Sequence, residues 1–195
     1  ERKQAEELLR ISEERLQLVI KGSNDAPWDW DFANKSIYYS PQWWTQIGYE
    51  PDELPITDQL WYELTHPDDR STVNATLDDA QNTDMESYQI EFRLRHKLGH
   101  FVPVLSRGFI TRDVGGSIIR VTGTNMDLTE SKLMQAKLAE NEAEFRNSFE
   151  AADVGMAIVN ARGKFISVNR SFSNILEYSR NEFLRMSFVD ITHPE

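Results

Sequence analysis

The chain alternates before it does anything else. In "APWDWDF" at 26–32, Trp28, Trp30 and Phe32 fall on one side and Asp29 and Asp31 on the other, the period-2 pattern of a strand with one buried face. A turn at Asn34-Lys35 leads into "SIYYS", a partner strand. Residues 41–66 read as short helical pieces broken by Pro41, Gly48, Pro51 and Pro55, and Pro67 to Gln81 as a longer helix with Val73, Leu77 and Ala80 on one side. "YQIEFRLR" at 88–95 sets Tyr88, Ile90, Phe92 and Leu94 against Gln89, Glu91, Arg93 and Arg95, an antiparallel strand with one wet face. "FVPVLSRGFITRDV" and "SIIRVTGTNMDLT" are two further strands meeting at Gly115-Gly116. Five antiparallel strands with helices inserted after the second predict an α+β domain whose sheet is covered by helices on one face.

The chain then repeats. Tyr49 falls on Tyr178 and Glu53 on Glu182 at a common offset of 129, "ERLQLVIKGS" at 14–23 lies over "AEFRNSFEAA" at 143–152, and the Thr-His-Pro of 65–67 returns at 192–194. The expected organisation is a connector helix at 1–16, a complete unit at 17–129, a second connector at 130–149 and the N-terminal part of a second unit at 150–195, a stretch of a longer array. Ala5, Leu9, Ser12, Leu16 and Val19 step by four and three residues. Met134, Leu138, Asn141, Phe145 and Ser148 repeat those steps, the spacing of a coiled-coil seam with a polar residue at its middle. The seam predicts helix pairing between two copies of the chain, with Ser12 and Asn141 restricting register. At the join, Asp127, Thr129 and Glu130 link the last strand to the connector, Asp127 and Glu130 having the spacing of a capping box.

Charge narrows the partners. The net charge is −11, and residues 50–86 hold eleven carboxylates against Arg70 alone, so this surface repels phosphate backbones and nucleic acid is not an expected partner. The chain has no cysteine, which removes disulfides, thiol nucleophiles and sulfur-linked cofactors. Apolar runs stay far below the roughly 18 residues of a membrane span, and no signal peptide opens the chain, so the expectation is a cytoplasmic segment without membrane contact.

Histidine chemistry is the remaining candidate. In "LTHPDD", Pro67 suits a first helical position, Asp68 and Asp69 suit the positive end of the helix dipole, and His66 falls at the cap. This architectural reading is preferred to an enzyme using Glu63, His66, Asp68 and Asp69 with a metal, for which no nucleophile or phosphate-binding loop is present. His96 and His100 have metal-ligand spacing, but Gly99 puts them on a hairpin.

Four motifs in order, "WDWD" at 28–31, "GYEPDEL" at 48–54, "HPDDR" at 66–70 and "GTNMDLTE" at 123–130, give the complete unit a resemblance to the PAS domain, with Leu128 where that pattern has Ile. The second copy keeps "EYSRNEF" and "ITHPE". The resemblance implies a five-stranded antiparallel sheet cupping a small cavity, used for sensing and relay in bacterial signalling proteins, noncatalytic itself and joined to adjacent PAS and output domains of a histidine kinase or a cyclic-di-GMP enzyme. Neither a phospho-acceptor helix nor a "GGDEF" run occurs here. No cofactor is expected: flavin photosensors of the family use a cysteine, and haem-binding members a histidine on the long helix, where this chain has none. Trp28, Trp30, Tyr39, Trp43, Trp44, Trp61, Tyr62, Tyr88 and Phe92 are the candidates to line a pocket for a small ligand or to fill it, and a filled core is the reading preferred. A relay module that dimerises through its connectors and a small-ligand receptor therefore stand side by side as functions.

Overall fold

The computed structural model describes residues 2–23 and 25–192, the side chains of residues 2–6, 9, 13, 16, 17 and 21 excepted. The chain divides into two units, 1–132 and 133–195. In the first, α1 (Arg2–Ser23) continues past Leu16, the expected end of the connector. It is followed by β1 (Ala26–Asp31), β2 (Ser36–Tyr39), α2 (Pro41–Gln46), α3 (Leu60–Leu64), α4 (Arg70–Asn82), β3 (Ser87–Arg95), β4 (Phe101–Arg112) and β5 (Ile118–Asp127). The strands form one sheet in the order β2-β1-β5-β4-β3, every neighbouring pair antiparallel. Strands, inserted helices and their sequence order agree with the expected α+β fold.

Local chemistry sets the elements. The β1–β2 turn is closed by Asp31, whose carboxylate accepts the Asn34 N–H at 2.8 Å. Pro41 opens α2 while the Ser40 hydroxyl accepts the Trp43 N–H at 3.2 Å. His66 caps as expected, its Nδ1 accepting the Asp68 N–H at 3.2 Å, but the turn it opens, Pro67–Asp69, is a 3-10 turn and α4 begins only at Arg70. The core beneath α2 and α3 holds Trp43, Trp44, Ile47, Leu60 and Leu64 against Leu94, Val102 and Val104 of the sheet.

Asp69 departs from its expected role. Its carboxylate takes two hydrogen bonds from the Arg93 guanidinium, at 2.7 and 2.9 Å, and a third from the Arg93 N–H at 2.9 Å, while the Arg93 carbonyl accepts the His66 N–H at 2.8 Å. The helix dipole is thus secondary to a clamp holding the start of α4 on β3. The Arg93 side chain keeps the Asp69 carboxyl below the usual carboxylate range. Because the folded value is depressed, this stability is present above the unfolded value of about 3.9 and disappears as pH falls through the lower folded value. Asp69→Asn is expected to remove about 1–2 kcal/mol at pH 7, the lower end reflecting the half-exposed Arg93, with the gap from wild type closing below about pH 4. Urea unfolding at pH 7 and pH 3 checks this; a gap independent of pH contradicts it.

α5 (Thr129–Ala151) begins in the first unit and, in the second, leads to β6 (Ala157–Val159), β7 (Phe165–Val168), α6 (Arg170–Leu176) and α7 (Arg180–Phe183), with β6 and β7 paired antiparallel. Phe165, Val168 and Phe183 form a small core. Asn169, fully buried, organises it. Its Nδ2 donates to the carbonyls of Phe149 and Val154, both at 2.9 Å, and its Oδ1 accepts the N–H groups of Met156 and Phe172. Val154, Ile166, Ile175 and Val189 stay more than half exposed. The second Thr-His-Pro lies at the end of the described residues, with His193 and Pro194 outside them.

Candidate functional site

The sheet explains why the cup is hollow. One row across it runs Tyr88, Gly108, Gly123, Trp28 and Tyr39 on β3, β4, β5, β1 and β2. A Cβ on Gly108 would stand 2.5 Å from the Tyr88 ring, and one on Gly123 would stand 2.6 Å from Trp28 Cζ2. The two aromatic rings therefore lie over bare backbone in place of standing up from the sheet. Above them is a cavity of about 190 Å³, closed on its far side by α4, whose Val73, Thr76, Leu77, Ala80 and Gln81 recur at helical spacing. The preferred filled core is corrected accordingly: how far a ring leans depends on what faces it across the sheet, and no stretch of sequence carries that information.

Of the nine candidate aromatic residues, Trp28, Trp30, Tyr39, Trp43, Trp61, Tyr88 and Phe92 line the cavity. Trp44 and Tyr62 are not among its lining residues. Trp44 is buried edge-on to Trp43 at 5.1 Å, and Tyr62 lies under the Arg70 guanidinium at 4.8 Å. Two buried polar lining residues escaped the sequence reading. Ser106 and Asn125 are 4% and 3% exposed, both at inward positions of alternating strands, which is the signal that would have found them. Asn125 Oδ1 accepts the Trp28 indole N–H at 3.0 Å. Burial pushes the Tyr88 phenol up to about 12, against the opposing pull of a hydrogen bond with Ser106, and burial also raises Tyr39. The Trp61 Nε1 is buried with no hydrogen-bond partner among the described residues. Among the described residues no Asp, Glu, His, Lys or Arg lines the cavity. A second hollow shares Trp30, Phe32 and Ile37 with it and adds Lys35, Ile56 and Asp58.

The strand–helix join is built differently from the expected capping box. Asp127 Oδ1 accepts the N–H of Thr129, two residues on, at 2.7 Å, and among the described residues no bond joins Glu130 to the Asp127 N–H. The cause is one residue of register: the Leu128 N–H donates to the Pro103 carbonyl of β4 at 2.8 Å, and the Leu128 carbonyl accepts the first helical bond, from Lys132 at 2.8 Å. Leu128 is therefore the capping position and Asp127 precedes it. Lys132 also reaches Glu91 of β3 at 2.7 Å, an exposed pair of small energetic weight. Along α5, the seam residues Met134, Leu138 and Phe145 are 65%, 60% and 58% exposed, and Asn141 is exposed with them. On α1, Ser12 and Val19 are exposed, while the side chains of Leu9 and Leu16 lie outside those described.

Elsewhere, His66 is committed to its cap and packs edge-on to Phe101 at 4.3 Å, and His96 and His100 stack at 4.1 Å on the β3–β4 hairpin. Among the described residues no three His, Asp or Glu side chains are placed to hold a metal, and no helix is long and apolar enough to cross a membrane.

A family model described as "PAS fold" matches residues 36–125, and a second, "PAS domain", matches 143–195. The crystal structure of a sensory box histidine kinase/response regulator from Burkholderia thailandensis E264 is 33% identical, covers 68% of this chain and 98% of its own, and superposes with a TM-score of 0.56. The chain belongs to the PAS family of sensor modules. The probable diguanylate cyclase DgcE of Escherichia coli K12 is 22% identical over 99% of this chain, and the sensor protein FixL of Bradyrhizobium diazoefficiens 21% over 93%. The chain spans only 17% and 35% of those two relatives' lengths.

Proposed function

We propose that this chain is a noncatalytic relay segment of a bacterial multidomain signalling protein, in which the cup of the first unit receives an input and α5 carries it onward. The observation that carries this reading is the join. β5 forms the middle of the sheet and passes through a single residue, Leu128, into a helix of 23 residues, while Leu128 is itself bonded to β4. A change in the spacing of β4 and β5 thus acts on the first turn of α5 with no loop to absorb it. The relatives support an output of the histidine kinase or diguanylate cyclase type, and the reading places the segment in the cytoplasm beside further PAS domains of the same chain.

The exposed stripe on α5 supports pairing with a second copy through the connectors. On this reading Leu138→Glu with Phe145→Glu weakens the homodimer more than a hundredfold, since about 1.5–3 kcal/mol of apolar burial is lost at each side chain. Sedimentation equilibrium of the full chain measures it; a wild-type monomer at high micromolar concentration, or a dimer indifferent to both glutamates, defeats the pairing.

The cavity supports a receptor mode of the same module, in which occupancy is the input. At about 190 Å³ it lies below the roughly 300 Å³ where pockets for drug-sized ligands begin, which argues against flavin or haem as the occupant.

A further inference from the structure

The structure assigns Asn169 a part in the relay proposed above, on which this inference rests: it is a positioning residue that fastens the end of α5 to the body of the second unit. The first unit has no such fastening for α1. Ser40 and Asn169 stand 129 residues apart and occupy the same place, since the Ser40 N–H donates to the Pro27 carbonyl and the Asn169 N–H to the Met156 carbonyl, both at 2.9 Å, and Pro27 and Met156 keep that offset. Each side chain also caps the helix that follows. Ser40 Oγ accepts the Trp43 N–H at 3.2 Å, and Asn169 Oδ1 accepts the Phe172 N–H at 2.9 Å.

Beyond that shared cap the two side chains part. Asn169 Nδ2 donates at 2.9 Å to the carbonyls of Phe149, in the last turn of α5, and of Val154, just past it, while Oδ1 also takes the Met156 N–H at 2.8 Å. A serine hydroxyl is shorter and has a single hydrogen, and Pro27 has no N–H to give, so neither half of this fastening can form around Ser40. Ser171 Oγ adds a bond to the Ala152 carbonyl at 2.6 Å. Carbonyls at a helix end have no partner within the helix, so the groups that satisfy them fix the direction in which the chain leaves it. Here those groups are buried in the second unit, with Asn169 fully buried and Phe149 5% exposed, and Phe149 stacks at 5.8 Å on Phe145 of the exposed stripe. The end of α5 and the second unit therefore open as one cooperative block, whereas the end of α1 can turn without loosening the first unit.

Arg15 on α1 and Glu144 on α5 are a matched pair for the test, both exposed and 129 residues apart. Glycine at either position weakens its helix about fivefold, the equivalent of its propensity deficit of about 1 kcal/mol. In amide hydrogen exchange of the full chain, Glu144→Gly is expected to make the β6–β7 ladder, with Ala157 opposite Val168, exchange about fivefold faster. Arg15→Gly is expected to leave the equivalent β1–β2 ladder, with Trp28 opposite Tyr39, unchanged. Asn169→Ser keeps a cap on α6 in the form Ser40 shows. It is expected to speed β6–β7 exchange by itself and to reduce the further effect of Glu144→Gly to less than about twofold. A residue that only caps α6 would leave the fivefold step intact in both backgrounds, and that additivity overturns the proposal. Should Asn169→Ser leave the second unit unfolded, the wild-type background decides: a β6–β7 ladder indifferent to Glu144→Gly, or a β1–β2 ladder that responds to Arg15→Gly as strongly, overturns it. A failure of the relay itself shows elsewhere, at the Leu128 join, as a distance between paired α5 helices that ignores Asp127→Ala.

Discussion

Gly123→Ala is expected to remove about 3 kcal/mol or more of the first unit's stability. A Cβ at this position would lie 2.1 Å from the Arg107 carbonyl oxygen of β4 as well as 2.6 Å from Trp28. A backbone oxygen inside a sheet cannot move without breaking the β4–β5 ladder, so the strain exceeds the roughly 1–3 kcal/mol usual for overpacking. Gly108→Ala provides the internal comparison. Its Cβ meets only the Tyr88 ring, a side-chain end that can swing upward, so the expected loss is about 1–2 kcal/mol together with loss of cavity space. Urea unfolding followed by tryptophan fluorescence reads the first unit selectively, since no tryptophan lies beyond Trp61. If Gly123→Ala proves no more harmful than Gly108→Ala, the flat-ring account of the cup is wrong.

Trp44→Ala is expected to be of similar size, about 3–5 kcal/mol, as for other large core residues truncated to alanine. Trp44 is 1% exposed and packs edge-on against both Tyr39 and Trp43. It faces packed side chains and not the cavity, so its removal opens a second void without enlarging the first. Trp61→Phe makes the contrast. It keeps a ring against Trp30 and removes an unpaired indole N–H, so it should change stability by less than about 1 kcal/mol. The same unfolding experiment checks both, and comparable losses from the two substitutions would contradict the division of these aromatic residues between core and cavity wall.

The division was only partly legible in the sequence. Alternation placed Tyr88, Ile90, Phe92 and Leu94 on the inner face of β3 because a strand's side-chain period is set locally. His66 was legible for the same reason, since a cap is made within three residues. Trp44 and Trp43 are neighbours of the same type and both belong to the core, yet only Trp43 also lines the cavity, and only the packing of α2 on the sheet separates them. The clamp between Asp69 and Arg93 spans 24 residues and depends on α4 meeting β3, so a reading of local charge assigned Asp69 to the helix dipole instead. The capping box failed by one residue because a tertiary bond, Leu128 to Pro103, decides where α5 begins. The repeat was the most informative feature, since the left-handed backbone of Gly48, φ +78°, recurs at Glu177, φ +60°, at the expected offset.

The central claim is that β5 and α5 act as one mechanical element whose helix pairs with that of a second copy. Since the chain has no cysteine, Glu142→Cys on the exposed face of α5 accepts a single nitroxide, and pulsed electron spin resonance measures the distance between labels on two copies. Paired helices, with axes about 8–10 Å apart, predict a defined separation on the order of 10–30 Å. Adding Asp127→Ala, which frees the Thr129 N–H at a cost of about 1 kcal/mol to the helix start, should shift or broaden that distribution. Absence of any coupling between copies, or a distribution that ignores Asp127→Ala, would contradict the account.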